Sequence, residues 1–306
     1  MFGIQRHKVT KIQKLQTWII GILMALCLAG QYGGKAVERD IVYARVGERE
    51  LLLDLYLPEK IGEPLPVVAW VHGGGWRNGS KASGGPARSL VSQGFAVVDV
   101  GYRLSGEAIF PAQIQDCKAA IRWIRANTNK YNLDPNRIGA WGSSAGGHLV
   151  AMLGTTGDVK DFDTEENSEY SSRLQAVCDW FGPTDFLRMN DFAGSMDHDA
   201  PKSPESLVIG GPIQENKEKV ARANPITYVS GDEPPFLIMH GERDLLVAYN
   251  QSELLYDALK KAGVEATLYC VKGGGHGFEG ATEDTREELV KMAADFFQKH
   301  LGVKQK

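Results

Sequence analysis

Short apolar runs recur along the chain, separated by polar or glycine-containing segments. Such runs are typical of strands that are buried on both faces of a sheet. They are found at 66–71, 94–100, 137–141, 176–181, 235–241 and 266–271. Between the second and third runs, Ile114, Ile121 and Ile124 recur at helical spacing and predict a helix over 112–130. The alternation of strands and helices predicts a mostly parallel, doubly wound α/β sheet.

Two regions depart from this alternation. The runs 40–46 and 50–57 predict an antiparallel hairpin at the N-terminal edge of the sheet. The stretch 182–234 is long, polar and poorly periodic, which is typical of lids and binding loops. Three of its apolar side chains either line an acyl or aromatic pocket or pack in an ordinary way, and both interpretations stay open: Met189, Phe192 and Met196. We therefore expect a single domain over 31–306 with a lid-like insertion at about 182–234.

Residues 1–30 predict a secretory signal peptide. An apolar run at 18–29 is too short to span a bilayer comfortably but suits the core of a signal peptide. It follows four basic residues, Arg6, Lys8, Lys11 and Lys14. Small residues permit cleavage near Ala29–Gly30. We expect a secreted or periplasmic protein without stable membrane association after cleavage, with a retained signal anchor as the alternative.

Composition argues against several classes of partner. The 306-residue chain has a net charge of −4 and a pI of about 6.0, which gives no electrostatic basis for binding nucleic acid. Residues 275–280 match a dinucleotide-binding fingerprint, but no further strand with an acidic end follows them. Outside the leader no C-x-x-C pair occurs, and we expect buried free thiols at Cys117, Cys178 and Cys270. The sequence predicts no metal and no cofactor.

A Gly-x-Ser-x-Gly motif follows the predicted strand 137–141, with Ser144 at its centre and Gly142 and Gly146 on either side. A helix-like run begins directly after it. A strand, a tight turn and a helix in this order present a nucleophilic serine at the top of an α/β sheet. The glycines are needed because side chains beside the serine would obstruct the turn. Ser144 is therefore the candidate nucleophile.

A nucleophilic serine also needs an oxyanion hole and a base. The strand 66–71 ends in His72-Gly73-Gly74-Gly75-Trp76, a type of motif that supplies backbone N–H groups to an oxyanion. We expect Gly74, Gly75 and Ala145 to be the donors, and Trp76 to contact substrate.

Among the seven histidines, His276 is the candidate base, because it stands in a glycine-rich loop after the last predicted strand. His72, His148 and His240 are expected to pack or to satisfy backbone groups. The remaining histidines carry no indication of a role: His7, His198 and His300.

The acid that orients the base is expected between the serine and the histidine in sequence. Asp244 lies at the carboxyl end of the predicted strand 235–241. Glu242 is its nearest rival, and Asp232 lies at the wrong end of the strand. The resulting order is serine, aspartate, histidine, which is the order of the α/β hydrolases.

With these residues, the chain resembles an esterase of the α/β-hydrolase superfamily over about 43–301. It is most similar to the secreted bacterial feruloyl/acetylxylan esterase-like group, which is related to the hormone-sensitive-lipase-like enzymes. The resemblance also includes further segments: Tyr102-Arg103-Leu104-Ser105, Phe110-Pro111-Ala112-Gln113, Asp116, and Asp179 to Asp185. Hormone-sensitive-lipase-like members usually carry an acidic residue where this chain has Ser143. They also have a large N-terminal cap, for which this chain is expected to have no room. Both departures favour the polysaccharide-esterase group.

The resemblance implies an α/β-hydrolase fold and acetyl or feruloyl esters of plant polysaccharide as substrates. The expected partner is thus a small-molecule or oligosaccharide ester, hydrolysed through an acyl-enzyme. Three alternatives remain. A peptidase of the prolyl-oligopeptidase type would share the order of the triad, but such enzymes normally carry a propeller domain, which this sequence does not contain. An arylformamidase or other amide hydrolase would share the glycine–tryptophan motif, and activity on N-formylkynurenine would identify it. A non-catalytic hydrolase fold used for binding would be expected to lack a member of the triad, whereas this sequence contains all three.

Overall fold

The computed structural model describes residues 36–59 and 62–302 of the chain. The predicted signal peptide lies outside the described residues. Within the described ranges, no helix is both long enough and apolar enough to cross a membrane.

The described chain contains an eight-stranded sheet with the order β1-β2-β4-β3-β5-β6-β7-β8. β1 pairs with β2, and β2 with β4, in antiparallel fashion, whereas the other neighbouring strands are parallel. The strands are β1 Ala36–Val46, β2 Arg49–Tyr56, β3 Leu65–Val71, β4 Ala96–Val100, β5 Leu133–Ser143, β6 Ala176–Trp180, β7 Phe236–Gly241 and β8 Ala266–Val271. The mostly parallel sheet and its N-terminal edge hairpin are confirmed.

Helices cover both faces of this sheet. The α-helices are α1 Ala112–Ala126, α2 Thr128–Tyr131, α3 Ala145–Thr155, α4 Pro204–Ile209, α5 Lys217–Ala223, α6 Asn250–Lys261 and α7 Arg286–Leu301. The helix predicted over 112–130 is interrupted at Asn127. There the backbone leaves helical angles (φ −108°, ψ 12°), and the Asn127 side-chain amide donates to the Trp123 carbonyl at 2.9 Å. This side-chain hydrogen bond ends α1 before the short α2 begins.

The central strand β3 shows why continuous apolar runs appear in the sequence. Every residue of Leu65–Val71 is buried. Val67 and Val71 belong to the core under α1, α3 and α6, whereas Val68 and Trp70 belong to the core under α7. Because successive side chains of a strand point to opposite faces, a strand covered on both sides must be apolar at every position.

On the α7 face, tryptophans from three strands pack in a row. Trp141 meets Trp70 at 5.9 Å and Trp180 at 4.9 Å between ring centroids, in both cases edge to face. Phe297 of α7 covers Trp141 at 5.9 Å. Each such pair adds about 1 kcal/mol beyond the burial of its apolar area. The row fixes β5, the strand that leads to Ser144.

The edge strand β8 differs from the prediction for 266–271. Most of its residues are only partly buried, since β8 has a neighbouring strand on one side only. Cys270 is accordingly half-buried, whereas Cys117 and Cys178 are buried, and all three are free thiols. The expectation of a buried thiol is therefore wrong for Cys270.

The insertion 182–234 connects β6 to β7 and holds α4 and α5 together with three short 3-10 turns. Several of its apolar side chains are buried in the same core as the central strands: Val208, Ile209, Ile213, Val220 and Ala223. The insertion is thus packed onto the domain. Its role as a lid stays a prediction.

Candidate active site

The turn after β5 brings Ser144 to the carboxyl edge of the sheet. Ser144 has φ 54° and ψ −123°, a conformation that L-residues rarely adopt, and its N–H donates to the Trp180 carbonyl at 2.9 Å. A Cβ at Gly146 would lie 2.1 Å from the Val71 carbonyl oxygen, so no larger residue fits there. The packing of β5 and α3 around Ser144 stabilises this unfavourable backbone conformation.

Three predicted residues meet at this turn through hydrogen bonds. The Nε2 atom of His276 lies 3.1 Å from Ser144 Oγ, and its Nδ1 atom lies 2.8 Å from Asp244 Oδ2. They come from the turn after β5, the loop after β7 and the loop after β8. The rival acid Glu242 instead pairs with Lys272 at 2.9 Å on the surface.

The carboxylate of Asp244 is held by both backbone and side chains. The N–H groups of Leu246 and Val247 donate to its Oδ1 atom at 2.8 and 2.9 Å. Burial favours the neutral acid, but hydrogen bonds and charge from His240 and His276 outweigh it, so the pKa of Asp244 lies well below its usual range. The group is a carboxylate at neutral pH, as an acceptor for the imidazole N–H must be.

His240 is a second imidazole beside Asp244, near the same carboxylate oxygen as His276. Its Nε2 atom lies 2.7 Å from the Val247 carbonyl and 3.4 Å from Asp244 Oδ2. A carbonyl can only accept, so Nε2 carries a proton, and Nδ1 accepts from the Ser252 hydroxyl at 2.6 Å. The sequence predicted the backbone contact but not the contact with the acid.

Glycines line the other side of Ser144. Gly74 and Gly75 have φ 115° and 60°, and a Cβ at Gly74 would lie 2.3 Å from the Asn78 carbonyl oxygen. The N–H groups of Gly74, Gly75 and Ala145 donate to none of the described residues. They are thus available to an external acceptor beside the serine.

Two further histidines have the structural contacts expected of them. His72 lies with Nδ1 at 2.8 Å from the Gly73 carbonyl and stacks on Tyr102. His148 is buried with Nε2 at 2.7 Å from the Ala223 carbonyl, which ties α3 to the insertion. Burial lowers the pKa of His148 to about 4, so this imidazole is neutral.

A model of the BD-FAE family matches residues 53–259. The chain belongs to the BD-FAE family. A truncated carbohydrate esterase from gut microbiota is 34% identical, with a TM-score of 0.79 over 90% of this chain and 99% of that chain. A bifunctional GH43-CE protein of Bacteroides eggerthii is 38% identical, with a TM-score of 0.76 over 87% of this chain and 38% of that chain.

The chain is also similar to mycobacterial esterases, over a smaller share of its own length. Esterase LipC of Mycobacterium tuberculosis is 32% identical over 243 residues, which represent 74% of this chain and 57% of LipC. The chain thus spans little more than half the length of that relative. The predicted resemblance to α/β-hydrolase esterases is confirmed, and so is the α/β-hydrolase fold.

A small cavity of about 60 Å³ opens beside Ser144 in this BD-FAE member. Ala145, Gly75 and Trp76 line it together with residues of the insertion. The Trp76 ring is almost completely buried and packs edge-on against His148 at 5.3 Å. Trp76 is therefore part of the cavity wall, and its contact with substrate stays a prediction.

The three apolar residues of the insertion have different environments. Met196 lines the cavity, Met189 is buried, and Phe192 is 58% exposed. The pocket interpretation therefore holds for Met196 alone.

His198 has a partner that the sequence did not reveal. Its Nδ1 atom lies 3.1 Å from Glu205 Oε2, and its Nε2 atom lies 2.9 Å from the Leu246 carbonyl. Both side chains of the pair are 4% exposed, and both residues line the cavity. Burial opposes the charge of the imidazole, but Glu205 outweighs this effect and raises the pKa of His198.

Asp179, near the end of β6, is a second buried carboxyl group close to Ser144. Its Oδ1 atom accepts from the Gly182 N–H at 3.0 Å, whereas Oδ2 has no partner among the described residues. Burial raises the pKa of Asp179 to about 7, despite that hydrogen bond. Sequence alone placed this residue in a strand without indicating its chemistry.

Within residues 36–59 and 62–302, no group of three or more His, Cys, Asp or Glu side chains is arranged to hold a metal ion.

Proposed function

We propose that this chain hydrolyses carboxylic esters through a Ser-His-Asp triad and an acyl-enzyme, acting on acetyl or feruloyl esters of plant polysaccharide. The observation that carries the proposal is the continuous hydrogen-bonded series from Ser144 through His276 to Asp244. The name of the mycobacterial relative, an esterase, supports an ester as substrate, and that of the carbohydrate esterase from gut microbiota supports an ester of a carbohydrate.

In the first step, Ser144 Oγ attacks the ester carbonyl while its proton passes to Nε2 of His276. Asp244 accepts from Nδ1–H, which leaves Nε2 free to act as the base and stabilises the imidazolium that forms. The carbonyl oxygen becomes an oxyanion in the tetrahedral intermediate.

The N–H groups of Gly74, Gly75 and Ala145 would bind this oxyanion, because they donate to none of the described residues and because Gly75 and Ala145 line the cavity beside Ser144. Removing one such donor typically lowers the rate on the order of 100-fold or more. As the intermediate collapses, His276 protonates the leaving alcohol and the acyl group remains on Ser144.

In the second step, water replaces the alcohol. His276 takes a proton from the water, the resulting hydroxide attacks the acyl-enzyme, and the same proton returns to Ser144 Oγ as the acid leaves. The cycle restores neutral His276 and needs no group beyond the residues named.

The predicted leader supports a further part of the proposal, that the protein acts after export from the cytoplasm. Intact-mass measurement of the mature protein tests it, and a mass that still includes residues 1–29 would contradict cleavage.

The test of the activity is hydrolysis of p-nitrophenyl acetate, methyl ferulate, acetylated xylan and N-formylkynurenine by wild type and Ser144→Ala. Ser92→Ala, which changes an exposed serine outside the site, is the matched control. We expect turnover by wild type and control, and none above background by Ser144→Ala. Equal turnover by Ser144→Ala would mean that the nucleophile is wrong. Turnover of N-formylkynurenine alone would favour an amide hydrolase.

A further inference from the structure

The cavity beside Ser144 is small. Its volume of about 60 Å³ compares with roughly 10–15 Å³ needed to hold one water-sized probe. There is room for a few heavy atoms, enough for the methyl end of an acetyl group. A feruloyl group, with its substituted aromatic ring, does not fit.

In the proposed mechanism, the cavity lies on the acyl side of the scissile bond. In the proposed mechanism the leaving alcohol takes its proton from His276, so the alcohol must lie on the side of that imidazole. Ser144 and Ala145 line the cavity, and the described residues that line it do not include His276. A carbonyl carbon bonded to Ser144 therefore directs its acyl substituent into the cavity and its alcohol away from it.

The wall of this cavity combines apolar and charged groups. Met196, Pro204 and Val247 supply apolar surface. The charged part is a pair formed by His198 and Glu205, which lies in the first turn of α4. The Nδ1 atom of His198 lies 3.1 Å from Oε2 of Glu205. The two atoms lie within ion-pair distance but do not form a hydrogen bond with each other, and neither has a hydrogen-bond partner among the described residues.

The contacts of His198 determine where the protons lie. Its Nε2 atom carries a proton, because the Leu246 carbonyl can only accept. The Nδ1 atom faces Glu205 Oε2 at 3.1 Å. The pair therefore places two polar side chains, both almost completely buried, at the cavity wall.

We propose that Glu205 and His198 close the acyl cavity and limit the substrates of the proposed esterase to acetyl-sized acyl groups. A longer acyl chain would have to place carbon atoms against the pair or separate its members. Separating the pair would leave buried polar groups without a partner, which is strongly unfavourable. This inference rests on the proposed ester hydrolysis and narrows it from acetyl or feruloyl esters to acetyl esters.

The experiment varies the acyl group while the leaving group stays constant. We would measure kcat/KM for p-nitrophenyl acetate, p-nitrophenyl butyrate and p-nitrophenyl ferulate with wild type and Glu205→Ala. Since one methylene can change kcat/KM by about 10- to 200-fold, wild type should prefer acetate over butyrate by on the order of 100-fold. Ferulate should give no turnover above background. Glu205→Ala should raise the butyrate-to-acetate ratio at least about tenfold.

Glu215→Ala is the matched control, because it makes the same change at an exposed position of the same insertion and should leave the ratio unchanged. If Glu205→Ala fails to fold because His198 loses its partner, the double variant His198→Leu/Glu205→Ala removes both charges and should show the same increase. Replacing both members of a buried pair by apolar residues is often tolerated.

The outcomes separate the two proposals. Serine-dependent turnover of acetate with an unchanged ratio in the folded variants would overturn the inference alone. Wild-type turnover of the ferulate ester at a rate near that of the acetate would also overturn it. Absence of serine-dependent turnover on all three esters would overturn both proposals.

Discussion

Asp179 and Asp244 are two buried carboxyl groups near the carboxyl ends of neighbouring strands, with opposite protonation behaviour. Asp244 accepts two backbone N–H groups and the Nδ1–H of His276, and its pKa is lowered. Asp179 accepts one backbone N–H, and its pKa is raised to about 7. Both side chains are almost inaccessible to solvent, at 1% and 6% exposure, but only Asp244 has imidazole groups beside it, and their hydrogen bonds and charge keep it ionised.

The two groups therefore affect stability in opposite directions as pH changes. For Asp179 the unfolded chain loses its proton near 3.8 and the folded chain near 7, so stability falls as pH rises between these values. For Asp244 the folded pKa lies below 3.8, so its contribution is present above that pH and is lost as pH falls. Asp244 is thus stable in the fold as a carboxylate that accepts from the imidazole of His276. Asp179 is more stable in the fold when it is protonated.

The largest effect is expected from Asp244→Asn. The amide cannot hold the imidazole tautomer that the base requires, so kcat on p-nitrophenyl acetate should fall roughly ten-thousand-fold. Glu242→Gln is the matched control, because Glu242 lies nearby but pairs with Lys272 on the surface. It should leave kcat within about twofold of wild type, because Glu242 does not contact the imidazole that acts as the base. A larger loss in Glu242→Gln than in Asp244→Asn would move the acid to Glu242.

Asp179→Asn should act on stability far more than on kcat. The amide keeps the bond from Gly182 and cannot ionise, so it removes a pH dependence of about 1.4 kcal/mol per pH unit between about 4 and 7. Urea denaturation at pH 5 and pH 7 measures the change, with Asp257→Asn on the exposed face of α6 as control. If wild type and Asp179→Asn showed the same pH dependence, the raised pKa of Asp179 would be wrong.

A smaller effect is expected from Ser252→Ala. It removes the hydroxyl that donates to Nδ1 of His240, and an unsatisfied buried nitrogen costs about 1–3 kcal/mol of unfolding free energy. The backbone donors to Asp244 remain, so kcat should fall by less than about tenfold. A loss of this size is expected because Ser252 acts on Asp244 only indirectly, by positioning His240. Thermal denaturation and kcat are measured beside Ser92→Ala. A loss of kcat as large as that of Asp244→Asn would show that His240, not the backbone, holds the acid.

Most of the sheet could be predicted from sequence, and so could the three residues that meet at the turn after β5, namely Ser144, Asp244 and His276. Strands such as β3 are covered on both faces, so every position is apolar and the run is easily recognised. Asp244 and His276 follow strands at one edge of a parallel sheet, where chain order restricts the candidates. The fold thus follows from local pattern together with the rule that parallel strands share their carboxyl edge.

The features that sequence did not reveal depend on contacts between distant or irregular segments. The Glu205–His198 pair joins two parts of the insertion, which has no periodicity from which to place side chains. Asp179 stands in an apolar run, and the number of N–H groups that reach its carboxyl group is a property of the folded turn. The half-exposed β8 shows a similar limit, because an apolar run does not reveal whether its strand lies at an edge.

Leu246 and Val247 serve two purposes with different atoms. Their N–H groups hold Asp244, and both residues also line the cavity beside Ser144. A backbone N–H is present whichever non-proline side chain the position carries. Substitutions at these positions can therefore reshape the acyl cavity while the support of the acid persists. Selection or engineering could diversify which ester is accepted on this scaffold without rebuilding the chemistry.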